Sequence, residues 1–167
     1  SPLMNRLISQ GRFTEAHEVV RRDIALPSVL GRICPAPCEG ACHRKSVDQA
    51  VSICMLKRFS GDNGDSPRIT PEDKTGYRAA VIGAGPAGLS AAYYLQLRGI
   101  QVTLFDKNAR PGGQLRSKID KEILPVNVLD REIDMILDTG IDFHGEEEIS
   151  NELFSNIRQI YDVVIVA

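Results

Sequence analysis

The hexamer Gly83-Ala84-Gly85-Pro86-Ala87-Gly88 fits G-x-G-x-x-G, and its setting constrains the chain more than any other feature. It follows the apolar run Ala79-Ala80-Val81-Ile82, the pattern of a buried parallel strand. It opens an apolar-rich helix over 86–98, which Gly99 ends. Asp106 closes the next strand, 101–105. Strand, glycine loop, helix and acidic residue in that order are what a dinucleotide fingerprint requires. Gly83 would permit the tight turn, Gly85 would let the backbone approach a pyrophosphate, and Gly88 would let helix and strand pack closely. The free N–H groups at the helix start would face the phosphates. The Asp106 carboxylate would accept from a ribose hydroxyl. The competing reading is a tight strand–helix turn without a ligand.

The pattern continues as alternating α and β segments. Residues 126–139 carry Val128, Leu129, Ile133, Ile136 and Leu137 at helical spacing. A weak strand is expected at 141–144, a helix capped by Ser150 runs to about residue 159, and a last apolar strand covers 161–167. The chain ends inside that strand, so it reads as a fragment of a longer protein. The fold class expected is α/β, a parallel Rossmann-like sheet over 78–167, preceded by a small helical domain over 1–60 and a polar linker over 61–77.

The N-terminal part predicts a short helix ending near Gly11 and a second beginning at Thr14 and broken by Pro27. Gly31 to Cys42 holds too many prolines and glycines for a regular helix, and helical spacing resumes over 49–59. This region carries all the cysteines, Cys34, Cys38, Cys42 and Cys54. Four thiolates can ligate one iron–sulfur cluster, with the proline-rich loop converging three sulfurs and the helix returning the fourth. Arg44 and Lys45 would offset the anionic charge. A four-cysteine zinc site is the rival, although zinc sites favour paired cysteines separated by a longer gap. Unligated thiols are the third reading, and Cys54 in particular would pack as a small core residue.

Composition limits the function classes. The 167 residues carry 20 basic and 22 acidic side chains, a net charge of -2 that provides no basic excess for nucleic acid. No apolar run reaches the ~18 residues of a membrane span, and Ser1-Pro2-Leu3-Met4 has no signal-peptide pattern. A cytoplasmic chain is therefore expected, in which structural disulfides are rare. His17 and His144 receive no role, His43 is read as an exposed loop residue, and Glu146-Glu147-Glu148 as a solvated acidic turn. Tyr93 and Tyr94 are expected to pack on the sheet-facing helix.

Pro111-Gly112-Gly113-Gln114-Leu115-Arg116 adds a second glycine pair, which would let another backbone segment approach a cofactor. This arrangement resembles FAD-binding disulfide-reductase-like flavoproteins more than a simple NAD-dependent dehydrogenase. Taken with Gly31-Arg32-Ile33-Cys34-Pro35-Ala36-Pro37-Cys38-Glu39-Gly40-Ala41-Cys42, Leu56-Lys57-Arg58-Phe59 and Val128-Leu129-Asp130-Arg131-Glu132-Ile133, the chain resembles the small (beta) subunit of NADPH-dependent glutamate synthase and its relatives. That group includes the N-terminal part of dihydropyrimidine dehydrogenase and the larger ferredoxin:NADP transhydrogenase subunit.

The resemblance implies hydride transfer from NADPH to FAD, then single electrons through a [4Fe-4S] cluster to a redox partner or large catalytic subunit. It implies FAD contacts at Gly83 to Ala87, Asp106, and Gly113, Gln114 and Leu115, and cluster ligation by Cys34, Cys38 and Cys42. NADPH would bind through a domain that this chain does not contain, so the fragment alone is expected to be inactive. The sequence departs from the family in having no upstream cysteine motif, in Asp106 where glutamate is frequent, and in Ile123-Leu124-Pro125 where many relatives have Arg-Leu-Pro. Many members also lack a cysteine at position 54, where Cys54 would complete a single four-cysteine cluster. The rival of another class is a non-catalytic binding module, with zinc holding the cysteine loop on a nucleotide-binding scaffold.

Overall fold

The computed structural model describes residues 2–65 and 69–167 and divides the chain into two compact units, Ser1–Pro67 and Arg68–Ala167.

The first unit is helical: α1 (Pro2–Ser9), α2 (Phe13–Arg21), α3 (Pro27–Ile33), α4 (Pro37–Gly40), a 3-10 turn at His43–Ser46, and α5 (Ile53–Asn63). Met4 and Leu7 of α1 pack on Ala16 and Val20 of α2, with Leu56 of α5 against them. Two expectations are corrected here. Pro27 does not break a helix but starts α3 at its first turn, where its missing N–H costs nothing. The stretch from Gly31 is also helical at first, because Gly31 belongs to a close crossing of α3 and α5. A Cβ on Gly31 would lie 2.5 Å from Arg58 Cβ, and one on Gly61 would lie 2.3 Å from Ser28 Oγ. Both glycines thus bring two helix backbones together.

The expected linker over 61–77 is likewise only partly one. Its first residues complete α5, where Ser60 and Gly61 are buried. Asp62 takes a two-pronged ion pair from Arg32, at 2.9 and 2.8 Å. Ser66, Pro67 and Arg68 lie outside the described residues. Further on, the Glu72 N–H donates to Leu97 O and the Thr75 N–H to Gly99 O, so this segment caps a helix end of the second unit.

The second unit runs β1 (Arg78–Ile82), α6 (Pro86–Leu97), β2 (Gln101–Phe105), α7 (Gln114–Ser117), α8 (Val126–Leu137), β3 (Asp142–His144), α9 (Asn151–Ile160) and β4 (Val163–Val166). The sheet is parallel throughout, in the order β3-β2-β1-β4. Ala79 sits between Val102 and Val163 in register. The central strand is fully buried at Ala79, Ala80 and Val81, as its uninterrupted apolar run requires. Tyr93 on α6 is buried as expected, and Ser150 caps α9 by accepting from the Leu153 N–H. β4 is an edge strand, with Val163 and Val166 exposed. The strand order reverses between β1 and β4, so the carboxyl ends of these strands open a crevice.

The turn from β1 into α6 tolerates no side chain at Gly88, where a Cβ would stand 1.7 Å from Gly83 O. Gly88→Ala is expected to destabilise the second unit by about 3 kcal/mol or more, read by urea unfolding. In the first unit, partial burial pushes the Asp62 carboxyl up, but Arg32, Ser28 and Arg58 pull it further down, below its ordinary 3.8. Its contribution is present above that value and lost as pH falls through the lower, folded-state value. Acid unfolding followed by circular dichroism should therefore show a limb below pH 3.8 that Asp62→Asn flattens.

Candidate functional site

At the carboxyl ends of β1, β2 and β4 lies a cleft of about 560 Å³. Gly83, Gly85, Pro86, Ala87, Asp106, Gly113 and Gln114 line it, with Phe105, Asn108, Glu147 and Glu148. Ala84, Gly88 and Leu115, also singled out from sequence, do not. Ala84 and Leu115 are buried, and Gly88 is the helix–strand contact described above.

Each glycine has a distinct local cause. Gly83 turns the chain at φ +105, where a side chain would be strained. Gly85 has nothing within 4 Å of its absent Cβ, so its open side faces the cleft. Gly113, at φ +49, would place a Cβ 2.9 Å from Gly85 Cα, and the Gly112 N–H donates to Ala84 O at 2.8 Å. The second glycine pair therefore docks backbone-to-backbone on the first loop. Arg116 holds that arrangement by donating to Pro111 O and to Asp130 on α8, which also takes Arg110.

Asp106 is only 8% exposed. Its Oδ2 accepts from the Ala84 N–H at 2.6 Å, and its Oδ1 from the Asn108 N–H and side-chain amide at 2.8 and 2.7 Å. The carboxylate thus ties the glycine loop to the end of β2. The acidic turn is not simply solvated, because Glu147 and Glu148 form a wall of the cleft and the Glu147 N–H donates to Asp106 O. Alternation patterns carry no signal for such a wall, since it is made by a loop after a three-residue strand.

These features fit a dinucleotide. The open side of Gly85 admits a close-lying pyrophosphate, and α6 presents its unpaired first-turn N–H groups there.

In the helical unit, Cys34 follows the end of α3 and Cys54 opens α5. The Ala36 N–H and then the Cys54 thiol donate to Cys34, holding its thiol below the ordinary range. N–H groups of Val51 and Arg44 do the same for Cys42. Burial, with donation to Cys34, pushes the Cys54 thiol up. Ala36, whose N–H reaches Cys34, is itself left-handed, φ 54. Lys57 and Glu39, which sequence reasoning passed over, belong to this region. Lys57 is buried one helical turn after Cys54 and acts electrostatically on Cys34 and Cys54, and Glu39 accepts from the Cys54 N–H at 2.9 Å. Of the basic residues expected to offset the cluster charge, Lys45 and Arg44 both act electrostatically on Cys42, and Arg44 is also paired with Asp48.

The structure brings Cys34 and Cys54 together but does not gather all four sulfurs. Among the described residues, no three His, Cys, Asp or Glu side chains form a group that could hold a metal ion. The donor set fits an iron–sulfur cluster in its chemistry: soft thiols, N–H groups aimed at sulfur and nearby ammonium groups. Cys38 also acts electrostatically on Cys54.

Residues 2–68 match the family described as dihydropyrimidine dehydrogenase domain II, 4Fe-4S cluster, and residues 81–144 the NAD(P)-binding Rossmann-like domain. The NADPH-Fe(3+) oxidoreductase subunit beta of Geobacter sulfurreducens is 35% identical over 99% of this chain and 26% of its own length. The glutamate synthase [NADPH] small chain of Bacillus subtilis is 37% identical over 99% of this chain and 34% of its own. The chain is homologous to the glutamate synthase small chain and its kin. A further relative, the NAD-dependent dihydropyrimidine dehydrogenase subunit PreT of Escherichia coli, is 39% identical over 84% of this chain and 35% of its own length. The chain thus spans about a quarter to a third of the curated relatives named here. Among solved structures, 6-hydroxypseudooxynicotine amine oxidase from Pseudomonas geniculata N1 shares the fold, with a TM-score of 0.50 and 19% identity over 100% of this chain and 23% of that one. Among the described residues no helix is long and apolar enough to cross a membrane.

The thiol environments order their reactivity. In metal-free protein at neutral pH, pulsed alkylation read by mass spectrometry should label Cys34 and Cys42 about tenfold faster than Cys54. Faster labelling of Cys54 would contradict its burial and its donation to Cys34.

Proposed function

We propose that this chain is the part of an NAD(P)H-dependent oxidoreductase that holds the nucleotide half of FAD and a [4Fe-4S] cluster. Electrons would pass on to a redox partner or large catalytic subunit. The observation that carries this reading is the cleft at the strand-order reversal, where the open side of Gly85 meets the start of α6. The cluster part rests on the donor chemistry of Cys34, Cys38, Cys42 and Cys54, and on the match of this region to a 4Fe-4S family.

The work of the protein groups follows from their placement. Gly83, Gly85 and Ala87 let the phosphates lie against backbone, and the α6 dipole favours their charge. Gly113 and Gln114 bound the cleft beside Gly85, and Asp106 ties the glycine loop to the end of β2. Cys34, Cys38, Cys42 and Cys54 would ligate iron, with the Ala36, Val51 and Arg44 N–H groups stabilising sulfur-borne charge. When bound, the flavin and cluster supply the conversion of two-electron to one-electron transfer. NAD(P)H would bind outside these 167 residues, as the greater length of the relatives suggests.

Anaerobic reconstitution with iron, sulfide and FAD tests the reading. The expected result is a broad absorbance shoulder near ~400 nm with about four irons and four sulfides per chain, and bound flavin besides. Cys54→Ser should lower the iron content. Zinc retained without iron or flavin would favour the zinc-held binding module. A colourless, metal-free protein that binds no nucleotide would overturn the proposal.

A further inference from the structure

Asp106 occupies the position from which a ribose hydroxyl is met, yet its carboxylate already accepts three N–H bonds from Ala84 and Asn108. A carboxylate has about four acceptor sites. One is left, on a short side chain that is 8% exposed. Beside it the cleft has a second carboxylate. The Glu147 N–H donates to Asp106 O at 3.0 Å, and Glu147 lines the same cleft with its side chain 37% exposed.

Glu147 is also held. Glu146 adopts φ 60, a left-handed turn that reverses the chain after β3, and its N–H donates to Asn108 O. His144 at the end of β3 stands between two carboxylates, with Nε2 3.0 Å from Asp142 Oδ2 and Nδ1 3.5 Å from Glu147 Oε2. Its ring packs on Phe105, at 5.3 Å between centroids, and Phe105 is itself part of the cleft wall.

We propose that Glu147, positioned by His144, is the carboxylate that accepts from the adenosine ribose hydroxyls of the bound dinucleotide, while Asp106 serves the glycine loop. This inference rests on the nucleotide reading of the cleft given above. His144 is a positioning residue and touches no ligand. The hydrogen bond to Asp142, against partial burial, raises its pKa above 6.5, and Glu147 adds to the rise. The charged groups around it are Asp142 on its own strand, Glu146, Glu147 and Glu148 in the following loop, and Asp106 and Lys107 at the end of the paired strand β2. Protonated His144 is bracketed by Asp142 and Glu147 and offsets the charge of the acidic wall. That hold is complete below pH 6.5 and is lost as pH rises through the raised value.

The test is calorimetric titration of the full chain with ADP-ribose, whose pyrophosphate does not titrate near neutrality. The comparison probes are its analogues lacking the 2′- or the 3′-hydroxyl of the adenosine ribose. For the wild type, removing at least one hydroxyl should weaken binding about tenfold. ADP-ribose itself should bind about three- to tenfold more weakly at pH 8.5 than at pH 6. Glu147→Gln should abolish the hydroxyl discrimination, and His144→Gln should flatten the pH profile, with thermal melts showing that both variants remain folded. Discrimination that survives Glu147→Gln but disappears in Asp106→Asn would overturn the inference and return the role to Asp106. So would a wild type that binds ADP-ribose without regard to the hydroxyls. A wild type that binds no ADP-ribose at any pH would defeat the nucleotide reading itself, and the inference with it.

Discussion

The close approach of α6 to β1 at Gly88 is the constraint on which the second unit depends. With only a hydrogen where a side chain would meet Gly83 O, the helix starts directly over the end of the central strand. Its unpaired N–H groups then face the crevice between β1 and β4. The second glycine pair adds a layer to this contact, because a Cβ on Gly113 would stand 2.9 Å from Gly85 Cα. The cleft floor is thus backbone on backbone. A ligand whose charge is on phosphate oxygens is suited to it, since backbone N–H groups bind anions without ordering long side chains.

The acidic residue at the end of β2 shows how one methylene redistributes work. A longer carboxylate at this position could reach outward. Asp106 is short enough to fold back onto the Ala84 N–H and to take Asn108 as well. It thereby satisfies the N–H of the buried Ala84, which would otherwise be left unpaired. The segment after β3 stands beside Asp106, bent back by the left-handed turn at Glu146.

Much of the second unit was legible in sequence because its signals are local. The buried strands are short apolar runs, Ser150 is a cap with a mechanism, and the glycine hexamer has one role per position. What escaped was made by partners distant in the chain. Gly31 and Gly61 read as breakers until a second helix is present for them to approach, and Asp62 reads as linker until Arg32 faces it. Lys57 looks like a surface lysine of an amphipathic helix, yet it is buried beside the thiols. Glu147 and His144 carry no motif at all, because their relation to the cleft follows from sheet register and a loop.

The cysteines divide by the same physics. Cys34 and Cys54 sit at the ends of α3 and α5, whose spacing is set by the glycine contacts with Arg58 and Ser28 and by the Arg32–Asp62 ion pair. That pair of sulfurs is part of the helical scaffold. Cys38 and Cys42 belong to a four-residue helix and the turn after it, where far less apolar burial fixes the backbone. Were all four thiols to ligate a cluster, as proposed, two ligands would come from the helical scaffold and two from the short α4 and the turn after it. The left-handed Ala36 is where the two halves join, and its N–H donates to the last sulfur of the rigid half, Cys34.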